Sequence, residues 1–166
     1  LVIWLQGGPG CSSLLGFMEE NGPYVMRHGG NFVRNEFRWT TNANMLWIES
    51  PPGVGFAQDT VPAMQWDDNS TAVFNYEALK GFLAKFPQFK ANNLHISGES
   101  YAGHYVPQLA NQILIGDDVN IRAQMKGFMV GNPCTGDIGC PNFDPTLEPY
   151  LRYDVLAALN TSVPTA

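Results

Sequence analysis

Charge is scarce in this sequence, and so are the features that point to nucleic acid, metal or lipid. Only 14% of the 166 residues are charged, the net charge is −6, and the nine Lys and Arg stand singly between Arg27 and Arg152. With no basic face to neutralise phosphates, nucleic acid is excluded as an expected partner. No apolar run approaches the roughly 18–20 residues that cross a bilayer, so no membrane span is expected. The three cysteines, Cys11, Cys134 and Cys140, form no Cys-x-x-Cys pair. No His-rich spacing accompanies them, so neither a metal site nor a cofactor is expected. The chain opens on Leu1-Val2-Ile3-Trp4-Leu5, with neither an initiator Met nor a basic leader. That pentapeptide reads as a buried strand entered part-way, so sequence is expected to precede it, and it is neither a signal peptide nor an anchor.

What is present is material for a core: 45% of residues are apolar and 12% aromatic, in a length suited to one domain. After the opening strand, the glycines of Gln6-Gly7-Gly8-Pro9-Gly10-Cys11-Ser12-Ser13 predict a loop with exposed amides. A short helix over 14–20 follows, then turn-rich chain to Asn44. A second strand spans 45–49, and its prolines and glycines end it at Ser50-Pro51-Pro52-Gly53-Val54-Gly55. Ala72, Tyr76, Leu79, Leu83 and Phe86 recur at helical spacing, so an amphipathic helix is expected over 71–86, stopped by Pro87. A strand over 94–97, a helix over 103–114 and a strand over 124–131 complete the regular part, with a weakly helical 153–159 beyond. Strands alternating with helices imply an α/β architecture with a partial, mostly parallel sheet and flanking helices, whose ligands sit beyond the carboxyl ends of the strands.

Two sequons, Asn69-Ser70-Thr71 and Asn160-Thr161-Ser162, are candidate glycosylation sites and point to a secretory route, where disulfides form. The plainer alternative is that Asn69 simply starts a helix and all three thiols are free.

Gly98-Glu99-Ser100-Tyr101-Ala102-Gly103 lies between a predicted strand and a predicted helix, the context of a nucleophile elbow, with Ala102 in place of the second glycine. The turn is so sharp that small residues must flank Ser100, whose hydroxyl then projects at the top of the sheet. Acyl transfer also needs donors aimed at a developing oxyanion, and Gly7-Gly8-Pro9-Gly10 supplies such a loop at the end of an earlier strand. The amides of Gly8 and Tyr101 are expected to converge. A phosphate loop is disfavoured, since no Lys-Ser/Thr or Gly-x-Gly-x-x-Gly pattern accompanies the glycines.

Three blocks, Trp4 to Ser13, Glu49-Ser50-Pro51-Pro52-Gly53-Val54-Gly55-Phe56, and Gly98 to Pro107, resemble the signature blocks of serine carboxypeptidases, an α/β-hydrolase family. The likeness runs from Leu1 to about Asn132. It implies that Ser100 is the nucleophile, that Gly8 and Tyr101 supply the oxyanion amides, and that Gln6, Gly7, Glu20 and Glu99 bind the carboxylate of a peptide or protein C-terminus. Gln6 departs from the Asn more usual in the family, which changes reach but keeps the amide donor. Two like charges in a confined site repel until one takes a proton, so the Glu99 site is expected to favour acid pH. The likeness also implies that Cys11 is tied to a later segment; its mate is not assured among these residues, while Cys134 and Cys140 can bridge each other. Residues 1–166 are thus expected to be a partial α/β-hydrolase domain, with 133–166 the loop-rich start of a cap or insertion region.

A hydrolase triad runs Ser, acid, His along the chain, yet no suitable histidine follows Ser100. His104 is one helical turn away, His95 lies in a strand and His28 in a loop; Asp137, Asp144 and Asp154 have no assignable role. The expectation is therefore a serine carboxypeptidase of the secretory pathway, lysosomal or vacuolar or extracellular, represented by a fragment that is inactive alone. An acyltransferase of the same fold and an inactive carboxylate-binding module are the alternatives.

Overall fold

The computed structural model describes residues 1–58 and 66–135. Four strands form one parallel sheet: β1 (Val2–Leu5), β4 (Met45–Trp47), β5 (Leu94–Glu99) and β6 (Met125–Gly131), in the order β4-β1-β5-β6. Two of the helices are α1 (Asp68–Lys85) and α2 (Ala102–Ile115). The α/β architecture expected from the alternation of strands and helices is the one observed. β1 and β5 are the inner strands, and Leu5 pairs with Gly98, so the loops that follow both leave the sheet side by side.

The apolar spacing of α1 is what docks it. Ala72, Tyr76, Leu79 and Leu83 are all buried, while Phe86, at the C-cap beyond the last turn, is 37% exposed. Tyr76, Leu79 and Leu83 join Ile3 and Leu5 of β1, Leu94 and Ile96 of β5, and Val106, Leu109 and Ile113 of α2 in one core. α1 starts earlier than the periodicity predicts because Asp67, not Asn69, caps it. The Asp67 carboxylate accepts from the Ser70 N–H at 2.7 Å while the Asp67 N–H donates to Ser70 Oγ at 3.1 Å. Asn69 is exposed in the first turn, but Thr71 of the same sequon is 2% exposed and faces the core.

Two features were not expected. The turn-rich chain before Asn44 contains a hairpin, β2 (Tyr24–Met26) and β3 (Phe32–Arg34), paired antiparallel with Tyr24 opposite Arg34. Its strands are too short to show a period of two. A short helix, α3 (Val119–Gln124), capped by the Asp118 carboxylate, leads directly into β6. The 14–20 helix is tight at its start and widens to a π-turn over Gly16–Glu20. The helix expected over 153–159, and most of the cap region expected over 133–166, lie outside the described residues. Among the described residues, no helix is long and apolar enough to cross a membrane.

These contacts set the stability scale. Leu79→Ala, at a fully buried position, is expected to cost about 3 kcal/mol, and Asp67→Ala about 1 kcal/mol through the lost cap. Urea denaturation of the two variants, with unchanged m-values, checks both.

Candidate active site

The site begins with a strained residue. Ser100 sits between β5 and α2 with φ of 57°, a left-handed backbone conformation that costs a non-glycine residue about 1–2 kcal/mol. The surroundings hold it there. Its N–H donates to the Gly131 carbonyl at 3.0 Å, and its carbonyl accepts from the N–H groups of Gly103 and Cys134, each at 2.9 Å. Gly98 cannot be larger: a Cβ there would lie 2.4 Å from the Leu5 carbonyl oxygen and 2.6 Å from Ala102 Cβ. Ala102 is fully buried, which is why the motif tolerates alanine but nothing bulkier at that position.

The glycine loop after β1 lies against this turn. A Cβ on Gly7 would fall 2.6 Å from the Tyr101 nitrogen and 2.9 Å from Ser100 Cβ, so only a bare backbone fits. The Gly8 N–H donates to no group among the described residues. The structure therefore brings Gly7 against Ser100 and Tyr101, with Gly8 next along the same loop.

Gln6 is the hub of the polar part. Its side-chain oxygen accepts from the Trp4 indole at 2.9 Å and from the Gly16 N–H at 3.2 Å. With the oxygen so occupied, the amide nitrogen must face the other way, and it donates to Glu99 at 2.8 Å and to Glu20 at 3.2 Å. Gln6 is 4% exposed, and all its side-chain groups are partnered. Burial first, and the neighbouring Glu99 carboxylate next, push the Glu20 carboxyl above its ordinary range. Glu20 ends the π-turn, where its carbonyl accepts from Asn35 Nδ2 at 2.8 Å. A widened helical turn at such a position is a known companion of functional sites. The second motif block joins the same assembly: Ser12 Oγ donates to the Glu49 carboxylate, which also accepts from the Phe56 N–H at 2.7 Å.

Other sequence candidates fall elsewhere. Cys11 is a free, exposed thiol with no mate among the described residues; Cys134 is buried and disulfide-bonded. Cys140 and Asn160 lie outside the described residues, as do Asp137, Asp144 and Asp154. His28 is exposed in the β2–β3 turn, His95 is near the start of β5, and His104 is buried on α2 facing Asp68. None of the three is adjacent to the Ser100 turn in the way a base must be. Sequence reasoning missed Asp68, Asn35 and the Ser12–Glu49 link; an Asp pair at a helix start reads as capping, and nothing in the residue spacing reveals the other two.

A parallel sheet with a left-handed serine between strand and helix, faced by a glycine loop from the adjacent strand, defines an α/β-hydrolase. Comparison with known proteins narrows this. The family model for serine carboxypeptidase matches residues 1–145, and the chain belongs to that family. It is 43% identical to serine carboxypeptidase ctsa-4.1 of Caenorhabditis elegans over 94% of this chain and 32% of that protein. It is 45% identical to the lysosomal protective protein of Mus musculus over 80% of this chain and 27% of that protein. Among solved structures it resembles the prohormone-processing carboxypeptidase Kex1(delta)p of Saccharomyces cerevisiae, with a TM-score of 0.71 and 30% identity over 80% of this chain and 30% of that one. The chain thus spans about a third of the length of the curated relatives it matches.

Because the folded Glu20 carboxyl is raised, it holds a proton that the unfolded chain releases sooner. Its contribution to stability is present at acid pH and is lost as pH rises through the raised value. Glu20→Gln is expected to flatten that part of the stability profile, as read by thermal unfolding across the acid range.

Proposed function

We propose that the protein is a serine-type carboxypeptidase that releases C-terminal residues through an acyl-enzyme on Ser100. The observation that carries this reading is the left-handed Ser100 turn packed on Gly7. Ser100 Oγ attacks the carbonyl carbon of the last peptide bond, and the oxyanion that forms accepts hydrogen bonds from the Gly8 and Tyr101 N–H groups. The C–N bond then breaks, the leaving amino acid takes a proton, and water later attacks the ester to release the shortened peptide. In this reading the proton acceptor is supplied from outside these 166 residues: His28 and His95 lie elsewhere on the fold, and the His104 imidazole, though beside the elbow, faces Asp68. The isolated chain should therefore turn over little.

Gln6, Gly7, Glu20 and Glu99 are the binding set for the terminal carboxylate of a peptide or protein substrate. A substrate carboxylate adds negative charge beside Glu20, whose carboxyl already holds its proton above the ordinary range, so binding strengthens at acid pH. The Gln6 amide is already aimed at both glutamates, and its orientation is fixed by Trp4 and Gly16. Residues 133–166 are read as the loop-rich start of a cap or insertion region. An acidic compartment of the secretory pathway, lysosomal or vacuolar, or the extracellular space suits such chemistry, in keeping with the lysosomal protective protein among its relatives. The sequons at Asn69 and Asn160, and a disulfide joining Cys134 to Cys140, belong to the same reading.

Measurements on the full-length gene product test it. A fluorophosphonate should label Ser100, and Ser100→Ala should abolish labelling and lower turnover of blocked dipeptides by about 10⁶-fold. KM should rise as pH rises through the Glu20 value, and Glu20→Gln should flatten that rise. Amidating the substrate's C-terminus should remove the pH dependence of KM; release from amidated and free substrates alike, with no such dependence, would sink the carboxylate-binding assignment. Transfer of an acyl group from ester donors to alcohols in preference to water would mark the protein as an acyltransferase instead.

A further inference from the structure

α1 and α2 bury a polar cluster beside the elbow that the proposed reaction does not consume. Tyr101, Asp68, His104 and Gln108 are all less than 8% exposed. The Tyr101 hydroxyl donates to Asp68 Oδ1 at 3.1 Å, and Asp68 Oδ2 lies 3.9 Å from His104 Nδ1. The Tyr101 ring is held between two others, with centroids 4.8 Å from His104 and 5.0 Å from Tyr105. Burial raises the Asp68 carboxyl and lowers the His104 imidazole, each partly offset by the other. An apolar residue at position 68 would avoid this desolvation, so packing alone does not explain the carboxyl.

Geometry does. The Ser100–Tyr101 peptide carries the N–H assigned to the oxyanion, and peptide planarity ties that N–H to the Ser100 carbonyl, which the Gly103 and Cys134 amides hold. Those bonds fix the tilt of the plane. The depth at which the plane stands over α1 is fixed at the other end of Tyr101, where its hydroxyl meets the first residue of that helix. A relaxing Ser100, free to leave its left-handed conformation, would swing this same peptide. We infer that Asp68 is a positioning residue: through the Tyr101 hydroxyl it holds the Tyr101 N–H on the oxyanion. The inference rests on the proposed function, and it makes α1 part of the catalytic support.

The test uses the full-length enzyme, with Asp68→Ala, Asp68→Asn, Tyr101→Phe and the Asp68→Ala/Tyr101→Phe double variant. Asp68→Ala should lower kcat about 10-fold with KM within about twofold, and should weaken a peptide aldehyde, whose hemiacetal oxygen takes the oxyanion position, by the same factor. Asp68→Asn keeps an acceptor oxygen and should recover kcat to within about threefold of the parent. Tyr101→Phe should match Asp68→Ala, and the double variant should be no worse than either single one. Unchanged kcat, a loss confined to KM, or losses that multiply in the double variant would overturn the inference. If Asp68→Ala does not fold, the decision passes to Tyr101→Phe, whose kcat must fall while its aldehyde affinity falls with it. Fluorophosphonate labelling separates the two claims. A parent enzyme that is not labelled at Ser100 overturns the proposed function, whereas one that is labelled but indifferent to Asp68→Ala overturns only this inference.

Discussion

The structure depends on one backbone constraint: Ser100 must stay in a left-handed turn that its own side chain disfavours. Everything near it is sized to that demand. Gly98 lets β1 and α2 close on the turn, Gly103 leaves room for the backbone at Cys134, and Gly7 brings the adjacent loop into backbone contact. The Gly131 carbonyl, at the end of β6, anchors the Ser100 N–H. Strain at a single residue is therefore distributed over three strands and a helix, which is how a rigid scaffold can keep one hydroxyl projecting without a bulky support.

Beside the turn, two carboxyls share a single neutral donor. Gln6 donates one amide to two carboxyls, and its oxygen is pinned by an indole and a backbone N–H, so the donor cannot turn away. Burial first, and then the repulsion from Glu99 that a neutral donor softens without cancelling, make Glu20 hold its proton more tightly than a free glutamate. A lysine in place of Gln6 would set a positive charge beside both carboxyls and make Glu20 release its proton sooner. The polar wall is thus tuned by the absence of a cation as much as by the presence of acids.

Much of this was legible in the residues. The Ala72, Tyr76, Leu79, Leu83 spacing located α1, and the apolar runs at Leu1–Leu5 and Leu94–Ser97 located the inner strands. The site was legible because Gly98-Glu99-Ser100 and Gln6-Gly7-Gly8 carry constraints that few other sequences meet. What escaped notice depends on contacts between distant residues. The Asn35 amide supports Glu20 across 15 positions, and Asp68 meets Tyr101 across 33. Neither pairing has a local signal, because an Asn in a turn and an Asp at a helix start have ordinary local explanations. The β2–β3 hairpin escaped for a different reason: three-residue strands give alternation too little length to register.

The order β4-β1-β5-β6 also bears on how the sheet is assembled. Among these four strands β1 is made before the others, β4 pairs on one side of it, β5 on the other, and β6 on β5. Within this set, no later strand has to wedge between two already paired. The pairing of Val2 with His95 nevertheless closes a very long loop, and such contacts form slowly. The elbow takes shape only when β5 docks, and its last anchor, the Gly131 carbonyl, arrives with β6. A ribosome-bound chain exposing residues only as far as α2 would hold the serine, but not yet in the conformation that chemistry requires.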